Sequence, residues 1–371
     1  MVGLSVALMF LPTPTGLPVA GQRVLAVAVM AIGLWCTDAI PAAVTGILLV
    51  IALVLTGGVP GFPEALVGFA EPVAYFLVGV LTIGLAVLQS GLAERVALFF
   101  LRQSRGRSRS LYLQMLLSFP LLTLLLPSAT TRTGILVFVY EQALDLGRVP
   151  RGSSFAKAIM LALNSVNRLA STMLLTGGIT PVLAASLIGG ISWGRWFVLM
   201  VVPYSVLLAV GALLIYLLHR RGFDLPLPPV RTGERKPLSG KEIRTLVITI
   251  GASLLWLTDA WHHWNPALPA IMAWACLLTP GIGALTWKEF EKGFGWANFF
   301  VIASSLSLAR ALGSSGASGW IAEVIVQGLP AFSQHPLLIV LVLLLAAAPV
   351  RLLIPNITGF LATTIPIAMS N

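Results

Sequence analysis

Leu124–Thr130 reads L-L-L-P-S-A-T, and Leu352–Thr358 reads L-L-I-P-N-I-T. Each sets a proline and small polar residues in the middle of a long apolar stretch. The first stretch, Tyr112–Tyr140, is too long for one crossing and has basic loops on both sides. With both flanks on one side of a membrane, the chain must enter and leave by the same face. That describes a re-entrant hairpin, near 111–140, with Pro127, Ser128, Thr130, Thr131, Arg132 and Thr133 at its tip. Gln334–Pro366 repeats the arrangement, near 335–369, from the opposite face and with Pro355, Asn356 and Thr358 at its centre.

Two further pairs stand in register with these. Leu34–Ala39 (L-W-C-T-D-A) matches Leu255–Ala260 (L-W-L-T-D-A) at an offset of 221, and Val87–Gly91 (V-L-Q-S-G) echoes Leu312–Gly316 (L-G-S-S-G) at 225. The hairpin tips follow at 228, so order is kept and spacing barely drifts. Paired, Gly/Pro-interrupted apolar segments in two halves point to a secondary transporter with its site at the repeat interface.

Composition agrees. The chain is 57% hydrophobic and 10% charged, with a mean hydropathy of +0.95; a soluble domain carries about 25% charged residues. Apolar runs recur at Val24–Trp35, Val44–Leu55, Val73–Leu88, Ile159–Leu175, Trp196–Leu218, Leu246–Leu257 and Leu337–Val350. Some fall short of the roughly 20 residues of a simple span, as broken helices do. A β-barrel would alternate polarity, and these runs do not. The expected fold is an all-α polytopic membrane protein built from two inverted-topology repeats, each with a re-entrant hairpin and broken helices. The first repeat takes residues 1–218, a Pro-rich basic cytoplasmic linker 219–243, and a second, incomplete repeat 244–371.

The net charge of +10 is distributed as membrane topology requires. Basic residues cluster at Arg102–Arg109, Arg148–Lys157, Arg220–Arg244 and Lys288–Lys292, while the loops at Pro60–Pro63, Asp259–Pro266 and Gly313–Pro336 have none. The positive-inside asymmetry puts the N-terminus in the cytoplasm, so the two L-W-x-T-D-A stretches sit at opposite faces. The same placement excludes a nucleic-acid partner. Leu92–Leu101, with Glu94 and Arg95, reads as an interfacial helix. Cys36 and Cys276 read as buried free thiols, the four histidines form no metal box, and no cleavable signal peptide is recognisable.

The tips make a physically sound site. Non-helical backbone at membrane depth is tolerated only against protein or a polar cavity. A helix that starts mid-membrane points free N–H groups and its positive end at whatever lies there, which suits a carboxylate or sulfate. The carbonyls ending the half-helices before it suit Na⁺. A third break, Leu174–Pro181 (L-L-T-G-G-I-T-P), is either a packing kink or an unwound stretch whose Gly177 and Gly178 carbonyls face a cation. Arg132 either clamps a carboxylate or braces the tip; Arg351 is its partial counterpart, and Arg168 is expected in a structural ion pair. Asp38 and Asp259, at helix ends, are expected either to cap or to join a surface ion pair, and Trp193, Trp196, Trp256, Trp261 and Trp264 to form interfacial belts.

These residues resemble a known family. The hairpin tips, L-W-x-T-D-A-I-P at Leu34–Pro41, F-A-x-P-V at Phe69–Val73 and S-G-L-A-x-R at Ser90–Arg95 are similar to the divalent anion/sodium symporter family of the ion transporter superfamily. The resemblance covers essentially the whole chain. It implies a homodimer in a bacterial inner membrane, with a scaffold domain and a transport domain moving as an elevator. It also implies symport of a small divalent anion, dicarboxylate or sulfate, with Na⁺ as the coupling ion and no cofactor. The family's Ser-Asn-Thr signatures fall on Ser128, Ala129 and Thr130 and on Asn356, Ile357 and Thr358, so both signature asparagines are replaced. Substrate contacts are therefore expected at these six residues with Thr131 and Arg132, and sodium contacts at Ser128, Ala129, Thr176, Gly177, Gly178 and Asn356. The replacements admit a smaller anion or a proton as coupling ion. The family continues past its second hairpin, so a C-terminally truncated chain, even a non-transporting remnant, is expected here. Alternatives are an efflux or antiport member of the superfamily and an intramembrane protease, the latter lacking a Ser/His or paired-Asp constellation at depth.

Overall fold

A computed structural model of the protein describes residues 2–104, 106–126, 129–224, 237–327 and 345. The second hairpin, with Arg351, Asn356, Ile357 and Thr358, lies outside the described residues, as do Pro127 and Ser128. Every regular element described is a helix. Val19–Thr37, Pro72–Ser90 and Trp193–Asp224 are long and apolar enough to cross a bilayer, and Trp296–Ser314 with Ala317–Val324 adds a pair bent by 69°. Ala42–Leu55 and Ala267–Leu278 are shorter apolar helices. Val198, Val202, Val206 and Leu213 on one of the long helices stand exposed, a surface made for hydrocarbon and not water. The protein is thus an all-α polytopic membrane protein.

The residues gather into two compact units, each drawn from both halves of the sequence. The first comprises Met1–Ala74, Leu183–Gly190 and the described part of Gly295–Asn371. Its core is Val24, Val27, Ala31 and Trp35 against Leu49, Leu53, Leu308 and Leu312. Small residues let the backbones approach, as membrane helices require. A Cβ on Gly46 would fall 2.4 Å from Ser304 Oγ, and one on Gly68 would fall 2.1 Å from the Ala303 carbonyl oxygen. Gly68 N–H donates to Ser307 Oγ at 3.0 Å.

The second unit holds Tyr75–Val182 and Ile191–Phe294. Here a Cβ on Gly79 would fall 2.3 Å from the Ala270 carbonyl oxygen. The amphipathic helix Leu92–Gln103 buries Leu92, Ala93 and Ala97. From it Arg95 reaches Glu242 at 2.7 Å, the residue that completes a capping box with Ser239 at the start of Gly240–Leu257.

The paired sequence stretches adopt paired local structure. Trp35 Nε1 donates to the Ala42 carbonyl at 3.2 Å, and Trp256 Nε1 to the Pro266 carbonyl at 2.9 Å. Thr37 Oγ1 donates to the Gly33 carbonyl and Thr258 Oγ1 to the Leu254 carbonyl, both at 2.8 Å. Gly91 and Gly316 hold φ of +81° and +76°, each between a 19-residue helix and a shorter one. The two tight contacts also correspond: shifting Gly46 and Gly79 by about 225 residues lands on Ala270 and Ser304, with partners exchanged.

Several expectations need correction. Trp193, Trp196 and Trp256 are 3–4% exposed and hydrogen-bonded inside the protein, so of the expected belt only Trp261 and Trp264 are exposed. Their indole N–H groups found internal carbonyl or hydroxyl partners, which removes the reason to stay at an interface. Cys276 is exposed and Cys36 half-buried, because each lies off the packed face of its helix. Arg168 is exposed, and among the described residues it has no ion pair.

Candidate functional site

The first hairpin and the broken helix meet within the second unit. The helix Ser108–Leu125 carries the chain in despite Pro120, and Ala129–Leu146 carries it out. The broken helix begins as Ser154–Leu161, whose N-terminus Ser153 caps through its side chain. That helix slips into one π turn at Ala162–Val166 and continues as Asn167–Met173. It breaks at Leu174, makes a short 3₁₀ turn at Leu175–Gly177, and resumes at Ile179. The glycine-rich stretch thus interrupts the helix where the sequence placed the interruption.

Arg132 joins the two elements. Its side chain is wholly buried. Nε donates to Asn167 Oδ1 at 2.6 Å and Nη1 to the Leu126 carbonyl at 2.8 Å. Nη2 donates to the Asn167 carbonyl at 3.1 Å and to Ser171 Oγ at 2.5 Å. Arginine only donates, which fixes the Asn167 amide with its oxygen toward the guanidinium. Asn167 Nδ2 then donates to Thr133 Oγ1 at 2.8 Å, and Thr133 Oγ1 donates to the Ala129 carbonyl at 2.8 Å. Ala129 and the Leu126 carbonyl are thus linked to the broken helix through Thr133 and Arg132. Of the two roles open for Arg132, this geometry is that of a brace.

The break is packed as tightly. A Cβ on Gly177 would meet the Ser171 carbonyl oxygen at 2.1 Å and Thr123 Cγ2 at 2.7 Å. Gly177 is therefore a contact glycine, bringing the break against the incoming arm. Thr176, 3% exposed, accepts from Trp193 Nε1 at 3.4 Å. Trp196 Nε1 donates to the Thr172 carbonyl at 3.0 Å. Asp259 Oδ2 accepts from the backbone N–H groups of Trp193 at 2.7 Å and Gly194 at 3.4 Å. It caps the helix Trp193–His219, the capping role read from the sequence, while its counterpart Asp38 stands exposed at φ +48°.

Of the expected site residues, Ala129, Arg132, Thr176, Gly177 and Gly178 are brought together in this unit. Only the helical backbone of Thr130 and Thr131 is described. Asn167 and Ser171 were missed by sequence reasoning; the signal was the polar run Asn164-Ser165-Val166-Asn167 inside an apolar helix. Chemically, two helices start here, at Ala129 and Ile179. Their unpaired N–H groups and positive ends suit an anion. A π turn beside them is a frequent companion of functional sites.

Comparison with known proteins gives the same direction. Residues 1–370 match the family described as the sodium:sulfate symporter transmembrane region. A membrane protein of Cupriavidus necator is 24% identical over 97% of this chain and 75% of its own length. The chloroplastic dicarboxylate transporter 1 of Arabidopsis thaliana is 25% identical over 88% of this chain and 61% of its own. For the citrate/succinate antiporter of Escherichia coli K12 the figures are 26%, 82% and 65%. An all-helical membrane fold, a hairpin tied to a broken helix and a match from end to end agree: the chain belongs to the sodium:sulfate symporter family, and it is a membrane transporter, not an enzyme.

Proposed function

We propose that the protein is a secondary active transporter of a small divalent anion, a dicarboxylate such as succinate or malate, or sulfate. The observation that carries this reading is the buried knot at Arg132, which ties the hairpin's outgoing helix to the helix that runs into the break at Leu174. Relatives named for dicarboxylates and citrate or succinate support it. The anion would meet the helix start at Ser128–Thr131 and, from the other hairpin, Asn356, Ile357 and Thr358. Na⁺ would lie at Ser128, Ala129, Thr176, Gly177, Gly178 and Asn356. The two hairpins would belong to inverted repeats and move as an elevator within a homodimer, in a bacterial inner membrane with the N-terminus cytoplasmic.

Two coupling modes follow. Sodium-driven symport is what the family resemblance implies. Exchange of one dianion for another is favoured by a specific observation, a buried guanidinium that already supplies positive charge at the site. Purified protein in proteoliposomes, offered labelled succinate, malate, citrate and sulfate with and without a Na⁺ gradient, tests the proposal. Saturable uptake of a dianion is expected; failure of every anion under every gradient would refute it.

A further inference from the structure

We propose that the cavity around the Glu71–Arg310 ion pair is where the dianion is first captured from the outer face, Arg310 drawing it in and Glu71 keeping the hold weak. This rests on the dianion reading and the orientation proposed above.

Within the first unit, a cavity of about 360 Å³ is lined by Glu71, Ser186, Leu187, Leu306, Arg310 and Ser314, among others. Small-molecule sites run from about 300 to 1,000 Å³, so a short-chain dianion fits. Arg310 lies near the C-terminal end of Trp296–Ser314. It is the one Lys or Arg between Lys292 and Arg351, on the stretch that leads into the basic-free loop Gly313–Pro336. Glu71 follows the other basic-free loop of this unit, at Pro60–Pro63. Both residues therefore stand toward the outer face, where topology asks for no cation.

The geometry of the pair leaves the cation open. Arg310 Nε donates to Glu71 Oε1 at 2.9 Å, and Nη2 lies 2.7 Å from the same oxygen. Nη1 has no partner among the described residues, so donors remain for a second carboxylate. The Arg310 side chain is 64% exposed and that of Glu71 20%, which places the cation nearer water than its counterion. The helix Pro72–Ser90 starts at the residue after Glu71. Its free N–H groups and positive end add to what this one carboxylate neutralises.

A structural tie explains the pair poorly. An exposed ion pair adds little stability. The segment it would fasten, Val67–Ala70, is already seated on Trp296–Ser314 by the bond from Gly68 N–H to Ser307 Oγ at 3.0 Å. There the backbones are so close that a Cβ on Gly68 would fall 2.1 Å from the Ala303 carbonyl oxygen.

Capture explains it better. A cation in a concave surface raises the local concentration of an anion and its rate of arrival. Left alone, it would also retain the anion, and a path for ions must release what it takes. Glu71 shares the guanidinium and repels the arriving dianion, which keeps the site shallow.

Uptake of labelled succinate into right-side-out membrane vesicles separates capture from a structural tie. Wild type is compared with Arg310→Gln, Arg310→Lys and Glu71→Gln, each checked for folding by thermal melting in detergent. At low salt Arg310→Gln is expected to raise KM about fivefold, the factor that a unit charge about 4 Å away in water supplies. Glu71→Gln should lower KM by a similar factor, and Arg310→Lys should stay near wild type. Near 1 M salt, where the Debye length is about 3 Å, the differences should collapse. In inside-out vesicles KM should change little in all three variants. Both Gln variants shifting KM in the same direction would overturn the proposal, as would shifts indifferent to salt or equal from both faces. Wild type that moves no dianion is a distinct result, which removes the dianion reading and this proposal with it.

Discussion

At the scale of single residues, repeat-matched side chains do matched work. Trp35 and Trp256 each carry one N–H to the carbonyl that opens the next apolar helix. Replacing either with Phe should cost about 1 kcal/mol, the net worth of a hydrogen bond, measured as equal falls in detergent melting temperature. Asp259 differs from Asp38 because only Asp259 finds backbone donors. Asp259→Ala should lose about 1–3 kcal/mol by leaving buried N–H groups unpaired, while Asp38→Ala should change little. The Thr286 backbone N–H, with its hydroxyl and Lys241, holds the Glu289 carboxyl below the ordinary value of 4.5. Its contribution to stability is therefore fully present above that value and is lost as pH falls through the lower, folded one. Glu289→Gln should flatten the acid limb of a stability–pH profile. The two readings of Arg132 could not be separated in the sequence, since clamp and brace need the same residue type at the same place. What decides is which acceptors surround it, and apart from the Leu126 carbonyl those come from a helix 35 to 39 residues further on.

At the scale of elements, interruptions were easier to read than slippages. Two glycines and a proline at 177–181 announce a break by composition alone, because they remove a side chain or an N–H. The π turn at Ala162–Val166 carries no such mark. It packs against the hairpin, where the Leu163 carbonyl accepts from Thr133 Oγ1 at 3.4 Å, a contact that a linear reading does not contain. Gly177 shows why glycine is needed at the break: its φ is unexceptional, but the Ser171 carbonyl lies where a methyl would be. Gly177→Ala should destabilise by about 1–3 kcal/mol, as overpacking does, and should reduce transport more than Gly91→Ala. At Gly91 a Cβ meets nothing within 4 Å and the penalty is left-handed backbone alone.

Across the whole molecule, the charge pattern and hydropathy made the class legible, whereas the grouping of helices was not. Each unit takes elements from both halves, and no local pattern tells a helix which distant segment it will meet. Topology remains open to direct test. A reporter fused before Val2 should read as cytoplasmic, and a cysteine placed at Asn265 should react with an impermeant reagent from outside. Finding both on the same side would undo the inverted arrangement, and the reversed result at both would undo the orientation. The exchanged contacts have a consequence for biosynthesis. Gly46 seats against Ser304, a residue made 258 positions later, or roughly 13–50 s at the usual pace of a ribosome. During that interval the nascent face has only lipid for company. Any stop codon upstream of Trp296 would strand it there, a ready substrate for membrane quality control.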